Sequence, residues 1–344
     1  MPKTGSQIRY AVWPLALAMG CAHGSPKTPT TTDAARPERT FQLTYTASLA
    51  QLPTAAQHIR MWIPLATTRQ NQRILSRTIH ADVPYQIHEE PTFGNEMAYV
   101  ALNPPIPSRV VVSVDYEVAV SGSDPFMASQ AAPGSQGVGV SETLSLALRD
   151  EPYLVVNHTV AQLAQQATAG QTGDVERARA IYDYVIEHMR YDKTTPGWGR
   201  GDTARACLLG KGNCTDFHSL FISMARAVGI PAQFFIGAPV PETDGAEIPG
   251  YHCWAEFYSP QTGWVPVDAS EAWKHPEERE HYFGAWDPNK FLITVGRNLQ
   301  LVPPQAGPPV NIFVYPYVEV DGSPFGVAET RFRFKNRQQK EART

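Results

Sequence analysis

The sequence lacks the features that mark two large classes of protein. It has 344 residues, yet no uninterrupted apolar run approaches the ~20 residues that a membrane-spanning helix needs. It also lacks a long basic run, and its formal net charge is −4, so nothing suggests a basic stripe that would neutralise nucleic-acid phosphates. We therefore expect neither a membrane-spanning helix nor a nucleic-acid partner.

Cysteine is also scarce, and the four present are Cys21, Cys207, Cys214 and Cys253. They do not form a disulfide framework, and the CxxC spacing of structural zinc sites is absent. A bridge between Cys207 and Cys253 is an open alternative in an oxidising compartment. If Cys21 is modified, the odd number that remains leaves at least one free thiol.

The N-terminus resembles an export signal. Two basic residues, Lys3 and Arg9, precede a short apolar stretch that ends before Cys21, which predicts a signal peptide over residues 1–21. The letters AMGC resemble a bacterial lipobox, whose cysteine is lipidated after cleavage, although Ala18 stands where that motif usually has leucine. We expect an exported protein of the cell envelope, periplasmic or lipid-anchored, or a secreted one, which touches a membrane only through a lipid on Cys21.

What is present is a globular composition, with 42% hydrophobic and 18% charged residues. A Pro- and Thr-rich tether over 22–40 precedes a β-rich segment over 41–125, which predicts an antiparallel, sandwich-like domain. A small-residue linker over 126–142 leads to a second domain over 143–335. Strand-like runs after residue 285 are expected to complete the sheet of that second domain, and residues 336–344 are expected to be a frayed tail.

The segment GKGNCTDFHSLFISMARAVGIPAQ predicts a helix that begins at Cys214, because Asn213 is a good N-cap and Gly229 suits the C-terminal cap. A thiol at the first helical position has a lowered pKa, since the positive end of the helix dipole favours an anion there. Asp216 in the same turn opposes this effect, which an ion-pairing histidine would offset. The alternative is that Cys214 is only a small buried residue.

Two strand-like segments, GYHCWAEFY and GWVPVDAS, flank a turn and predict a hairpin. If Tyr258 pairs with Trp264, Trp254 lies opposite Asp268, and His252 is its diagonal neighbour on the same face, ~7–8 Å away at Cα. A carboxylate in that position can fix the tautomer of the imidazole and stabilise its protonated form. The alternatives are an ordinary strand histidine and an aspartate that caps a turn.

The blocks GNCTDFHSLFISMARAVGIPAQ, YHCWAEFY and GWVPVDASE, in this order, resemble the core of bacterial transglutaminase-like proteins over about residues 150–300. The resemblance implies an α+β fold with a papain/transglutaminase-like catalytic domain, preceded here by the antiparallel β-sandwich-like domain. It implies that Cys214 is the nucleophile, His252 the base and later the acid, and Asp268 the orienting carboxylate. Weaker candidates for contacts with the oxyanion or substrate are Trp198, Asn213 and Trp254.

These residues predict thiol-dependent acyl transfer on peptide or isopeptide amides of a peptide or protein substrate, with no cofactor and no metal. Hydrolysis is slightly favoured over transfer to an amine, because water needs no second binding site. One alternative is a catalytically inactive, transglutaminase-like binding module of the cell envelope. Another is a metal site built from Cys214, His218, His252 and Cys253, although adjacent strand residues such as His252 and Cys253 point to opposite faces.

Overall fold

The fold is described from a computed structural model, which covers residues 38–126, 138–244, 247–326 and 328–337, apart from residues 51 and 54; only the backbone is described over 138–141. The predicted signal peptide and Cys21, most of the tether and linker, and residues 338–344 lie outside these ranges. Within the described residues, no helix combines the length and hydrophobicity that a bilayer crossing requires.

Strands form the first and last parts of the described chain, and the helices lie between them together with further strands. The strands are β1 (Glu38–Ala50), β2 (Ile59–Leu65), β3 (Gln72–Ala81), β4 (Gln86–Glu89), β5 (Glu96–Leu102), β6 (Arg109–Ser121), β7 (Arg190–Tyr191), β8 (Lys211–Gly212), β9 (Ala232–Pro239), β10 (Glu247–Ile248), β11 (His252–Ser259), β12 (Gly263–Val267), β13 (Lys290–Val295), β14 (Tyr317–Val320), β15 (Ser323–Pro324) and β16 (Glu329–Asn336). The helices are α1 (Val138–Leu146), α2 (His158–Ala167), α3 (Asp174–His188), α4 (Thr203–Leu209), α5 (Cys214–Ala227) and α6 (Ala269–Lys274).

The N-terminal strands form an antiparallel β-sandwich, as the sequence predicts. One sheet has the order β10-β16-β1-β6-β3, and the other has the order β15-β14-β2-β5-β4. Buried and more exposed residues alternate along β1 and β6, because successive side chains of a strand point to opposite faces. The inward-facing residues of both sheets belong to one apolar core.

The C-terminal strands correct one prediction. The runs after residue 311 were expected to complete the sheet of the second domain, yet β14 pairs with β2 and β16 pairs with β1. The helices and β9, β11, β12 and β13 are therefore inserted in the chain between strands of the sandwich, to which β10 also belongs. The predicted segment boundaries also shift slightly, since β1 begins within the predicted tether, α1 begins within the predicted linker, and β16 ends on the first residue of the predicted tail.

A third sheet, separate from the two of the sandwich, positions the candidate site. It has the order β12-β11-β9-β13, and every neighbouring pair is antiparallel. Helix α5 packs on one face, where the rings of Phe221 and Phe257 lie 6.4 Å apart. The residues of α5 from Cys214 to Arg226 are all buried, so the helix is enclosed by the sheet and the other helices instead of presenting one polar face to water. This burial places the start of α5 beneath the molecular surface.

Candidate active site

The first turn of α5 is held by reciprocal capping, which confirms the predicted helix start. The Asn213 side chain accepts a hydrogen bond from the Thr215 backbone N–H at 3.0 Å, and the Asp216 carboxylate accepts one from the Asn213 N–H at 3.0 Å. The Asn213 amide in turn donates to the Tyr251 hydroxyl at 2.8 Å. The Cys214 side chain thus starts from a fixed backbone at the positive end of the helix.

Asp216 has a structural role that the sequence did not reveal. Beyond the cap, its carboxylate accepts hydrogen bonds from the backbone N–H groups of Gly199 at 2.8 Å and Gly201 at 3.0 Å. Gly201 has φ +65°, and a Cβ there would lie 2.6 Å from the Ser219 hydroxyl, so only glycine fits. The carboxylate charge is therefore directed at the loop that carries Trp198, which is 39% exposed.

The hairpin has the predicted register, with Tyr258 opposite Trp264. His252 is the first residue of β11, and Asp268 follows the last residue of β12 and caps α6 by accepting the Glu271 N–H at 3.1 Å. The imidazole Nε2 lies 2.6 Å from Asp268 Oδ2. The structure thus brings the imidazole and the carboxylate into a short, buried hydrogen bond.

The electrostatics of the site favour a thiolate on Cys214 and an imidazolium on His252. Burial raises the pKa of Cys214, but hydrogen bonds with the side chains of Cys253 and His252, and the charge of His252, outweigh it and hold that pKa well below its usual range. For His252, burial opposes the charged form, yet the Asp268 carboxylate and the Cys214 sulfur raise the pKa to about 10. Between these two pKa values a thiolate faces an imidazolium.

Lys290, which the sequence analysis did not single out, places a second positive charge beside Asp268. Lys290 Nζ lies 2.7 Å from Asp268 Oδ2, the same oxygen that accepts from His252. The side chain is 6% exposed, and its ammonium lies 5.1 Å from the centre of the Trp254 ring. The charges of His252 and Lys290 overcome the effect of burial and hold the pKa of Asp268 well below its usual range.

His218 links the start of α5 to the start of α6. The Ala269 N–H donates to His218 Nε2 at 3.1 Å, so that nitrogen carries no proton, and Nδ1 then donates to the Cys214 carbonyl at 2.7 Å. Burial lowers the pKa of His218, in agreement with a neutral ring. Because both ring nitrogens are engaged, His218 is not available as a metal ligand, which argues against the alternative Cys/His metal site.

A cleft of about 920 Å³ opens beside these residues. Trp198, Asn213, His252 and Glu271 line it, whereas Cys214, the neighbour of Asn213 in the chain, is 2% exposed and is not among the lining residues. Trp254 is not among the residues that line the cleft. It is 1% exposed and stacks on the His252 ring with 6.1 Å between ring centres, which supports the imidazole from behind.

Residues 161–269, which include Cys214, His252 and Asp268, match the family model of the transglutaminase-like superfamily. The chain carries a transglutaminase-like core. The chain is also 26% identical over 326 residues to an uncharacterized protein of Haemophilus influenzae, with 83% of this chain and 86% of that protein covered.

Two solved structures were found to be similar to large parts of this chain. One is described as a candidate cysteine protease from Cytophaga hutchinsonii, which is 16% identical with a TM-score of 0.55 and covers 87% of this chain and 98% of that one. The other is the periplasmic domain of TgpA from Pseudomonas aeruginosa, which is 16% identical with a TM-score of 0.38 and covers 70% of this chain and 90% of that one. The first of these similarities supports the α+β fold.

A metal could be considered at the transglutaminase-like site, because ligand atoms of His252, Asp268 and Glu271 lie within 4.8 Å of one another. The donor set does not fit an ion well. Asp268 Oδ2 is already shared by His252 and the Lys290 ammonium, and an incoming cation would have to displace that ammonium. These residues are better arranged to hold and move a proton.

The described cysteines are free thiols, so the alternative bridge between Cys207 and Cys253 is not formed. Cys253 is buried, and its sulfur lies 3.4 Å from the Thr215 hydroxyl. Although Cys253 follows His252 at the start of β11, both side chains act on the Cys214 sulfur through hydrogen bonds that lower its pKa. Strand alternation therefore does not separate them as the sequence suggested.

Proposed function

We propose that this protein is a thiol hydrolase that cleaves peptide or isopeptide amide bonds through a thioester on Cys214. The observation that carries the proposal is the ordered contact of three groups. Asp268 accepts from His252 at 2.6 Å, and the imidazole hydrogen-bonds to a sulfur whose pKa is lowered. This arrangement supplies a nucleophile and an acid beside a cleft large enough for a peptide segment.

The first step is attack by the Cys214 thiolate on the carbonyl carbon of the amide. A carbon–sulfur bond forms and the carbonyl oxygen becomes an oxyanion. The backbone N–H of Cys214 has no partner within its own helix at this first position, so it can donate to the oxyanion. Trp198 lines the same cleft and is a candidate second donor.

The second step is collapse of the tetrahedral intermediate. His252 gives its proton to the departing amine, the carbon–nitrogen bond breaks, and a thioester remains. His252, now neutral, takes a proton from water, which attacks the thioester and releases a carboxylic acid and the thiolate. Asp268 holds the imidazole in one orientation throughout, and Trp254 stacks behind it.

Thiol alkylation tests the reactive ion pair, and the chain supplies its own control. Cys207 is a free, half-buried cysteine whose pKa is raised to about 11 by burial. At neutral pH a small reagent such as iodoacetamide should label Cys214 much faster than Cys207, as read by peptide mass spectrometry. His252→Gln should slow the labelling of Cys214 and leave that of Cys207 unchanged.

Labelling of Cys214 at the rate of a free model thiol, independent of His252, would contradict the proposal and favour an inactive binding module. The pH dependence gives a further check. Above about pH 10, His252 loses the proton that the leaving amine requires. We therefore expect kcat/KM to fall above that pH even though the sulfur stays ionised. It should also fall at low pH, where the thiolate becomes protonated.

The acceptor is tested by trapping the thioester. The full chain is incubated with a peptide library, and the acyl group on Cys214 is identified by mass spectrometry, with Cys214→Ala as the blank. Product formation is then compared with and without an added alkylamine. If the product remains the free acid when the amine is present, hydrolysis is supported. If the product becomes quantitatively the amide of the added amine, the enzyme is an amine transferase instead.

We also propose export to the cell envelope, on the basis of the basic and apolar residues that precede Cys21. Mass spectrometry of the mature N-terminus from the native host tests this proposal. A diacylglycerol-modified Cys21 at the N-terminus supports a lipoprotein, cleavage without lipid supports a soluble exported form, and an intact Met1 contradicts export.

A further inference from the structure

A second cavity of about 280 Å³ lies on the sheet away from the cleft, and the two share no lining residue. Its floor is the face of the β9, β11, β12 and β13 sheet that also carries Trp254. Loops of the sandwich around residues 69–71 and 92–93 form the opposite wall. The volume is close to the lower end of the ~300–1,000 Å³ range of small-molecule sites.

The cavity contains a buried acid that has no partner among the described residues. Glu256 is 9% exposed and is nearly enclosed in the middle of β11, and it forms no hydrogen bond or ion pair with any residue that the structure describes. Burial alone raises its pKa to about 8. A carboxyl group in such a position is costly to ionise unless a cation joins it. Neither the reaction proposed above nor the packing of the sheet uses this group.

Part of the cavity wall is aromatic, and one of the rings has a donor without a partner among the described residues. Trp286 and Phe235 meet at 87° with ring centres 6.3 Å apart, and Trp264 provides a third ring. The buried Trp286 Nε1 has no hydrogen-bond partner among the described residues. Aromatic faces around a carboxylate attract organic cations, because the ring quadrupole and the charge act together.

The described residues offer no cation that already serves Glu256. Arg69 and Glu256 are the charged residues among those that line the cavity, and the Arg69 guanidinium donates to the carbonyls of Phe93 at 3.0 Å and Gly94 at 2.7 Å. The cross-strand neighbours of Glu256 are the uncharged Gln233 and Pro266. The segment MASQAAPGSQG over 127–137 contains no lysine, arginine or histidine, so it supplies no charge either.

We propose that this cavity binds a small organic ammonium ion that also bears a hydrogen-bond acceptor, such as an amino alcohol. The Glu256 carboxylate neutralises the ammonium, the rings of Phe235, Trp264 and Trp286 surround it, and the acceptor takes the Trp286 Nε1–H. The proposal is independent of the reaction at Cys214.

The test is a calorimetric titration of the full chain with choline, with 3,3-dimethyl-1-butanol as the neutral isostere. Choline should bind saturably and at least tenfold more tightly than the alcohol. Glu256→Gln keeps the shape and removes the charge, so it should erase this preference. Trp286→Phe should weaken both ligands together. Because only the ionised carboxylate pairs with the cation, the affinity for choline should rise about tenfold per pH unit below pH 8 and level off above it.

No saturable binding of choline or ethanolamine would overturn the proposal, as would equal binding of choline by wild type and Glu256→Gln. If Glu256→Gln fails to fold, two measurements on the wild type test the proposal instead. These are the preference for choline over its isostere and the rise of choline affinity with pH. Alkylation of Cys214 in Glu256→Gln should match wild type, since the two cavities share no residue, and this readout separates the ammonium site from the proposed hydrolase.

Discussion

Replacing Lys290 with methionine should raise the pKa of His252 and weaken it as an acid. In the structure Lys290 Nζ and His252 Nε2 lie 2.7 and 2.6 Å from the same oxygen of Asp268, so the two cations are within about 5.3 Å of each other. At an effective dielectric constant of ~20, charges at that separation repel by about 3 kcal/mol. This repulsion corresponds to about two pKa units on the imidazolium.

Lys290→Met removes that repulsion while keeping an unbranched side chain against Trp254. The pKa of His252, about 10 in the wild type, should move upward by up to about two units. A weaker acid protonates the leaving amine less readily, so kcat for an amide should fall, while a substrate with a good leaving group should be less affected. Lys290→Arg retains the charge and is the matched control.

The assay is NMR titration of the His252 ring protons, combined with kcat/KM between neutral pH and the alkaline limb. Asp268 keeps donors from His252, Ser270 and the Glu271 backbone, so the variant should fold, and urea unfolding would measure the cost of the lost ion pair. An unchanged or lowered pKa of His252 in Lys290→Met would refute the idea that Lys290 and His252 share the carboxylate charge.

Three further changes test how the first turn of α5 is held. Asp216→Asn should lower the free energy of unfolding by about 1–3 kcal/mol in urea, because the amide keeps one acceptor oxygen and its NH2 group faces at least one of the N–H groups of Gly199, Gly201 and Asn213. A loss within error would contradict this. Cys253→Ala should raise the pKa of Cys214, because it removes a hydrogen bond to the sulfur, and the thiolate absorbance at 240 nm should then appear at higher pH. The control Cys207→Ala should leave the pKa of Cys214 unchanged. Tyr251→Phe should lower the free energy of unfolding by about 0.5–1.5 kcal/mol, because it removes the hydroxyl that Asn213 and Thr215 contact. An unchanged free energy of unfolding would show that these contacts do not stabilise the fold.

Local patterns predicted much of the site. The N-cap at Asn213 and the hairpin register that sets Tyr258 against Trp264 follow from residue spacing within a few positions, and both are confirmed. The superfamily resemblance rested on the same blocks. These predictions succeed because capping and cross-strand pairing are short-range interactions that depend on neighbouring residues.

Features that depend on strand order could not be predicted in this way. Lys290 reaches Asp268 only because β13 lies beside β9 in the same sheet as β11 and β12, and nothing in the sequence around Lys290 encodes that order. The same applies to β14 and β16, whose partners are strands at the other end of the chain. The stacking of Trp254 on the His252 ring also depends on how the sheet packs, which the residues around Trp254 do not reveal.

The pairing of β1 with β16 has a consequence for how the molecule is made. Phe41 finds its partner Asn336 only after almost the whole chain has emerged from the ribosome. Until then β1 has an open edge and β2 lacks its neighbour β14, so the sandwich stays incomplete while the inserted core can already collapse. A premature stop before residue 317 would thus leave the sequence blocks of the thiol site intact and deprive the sandwich around it of its last strands.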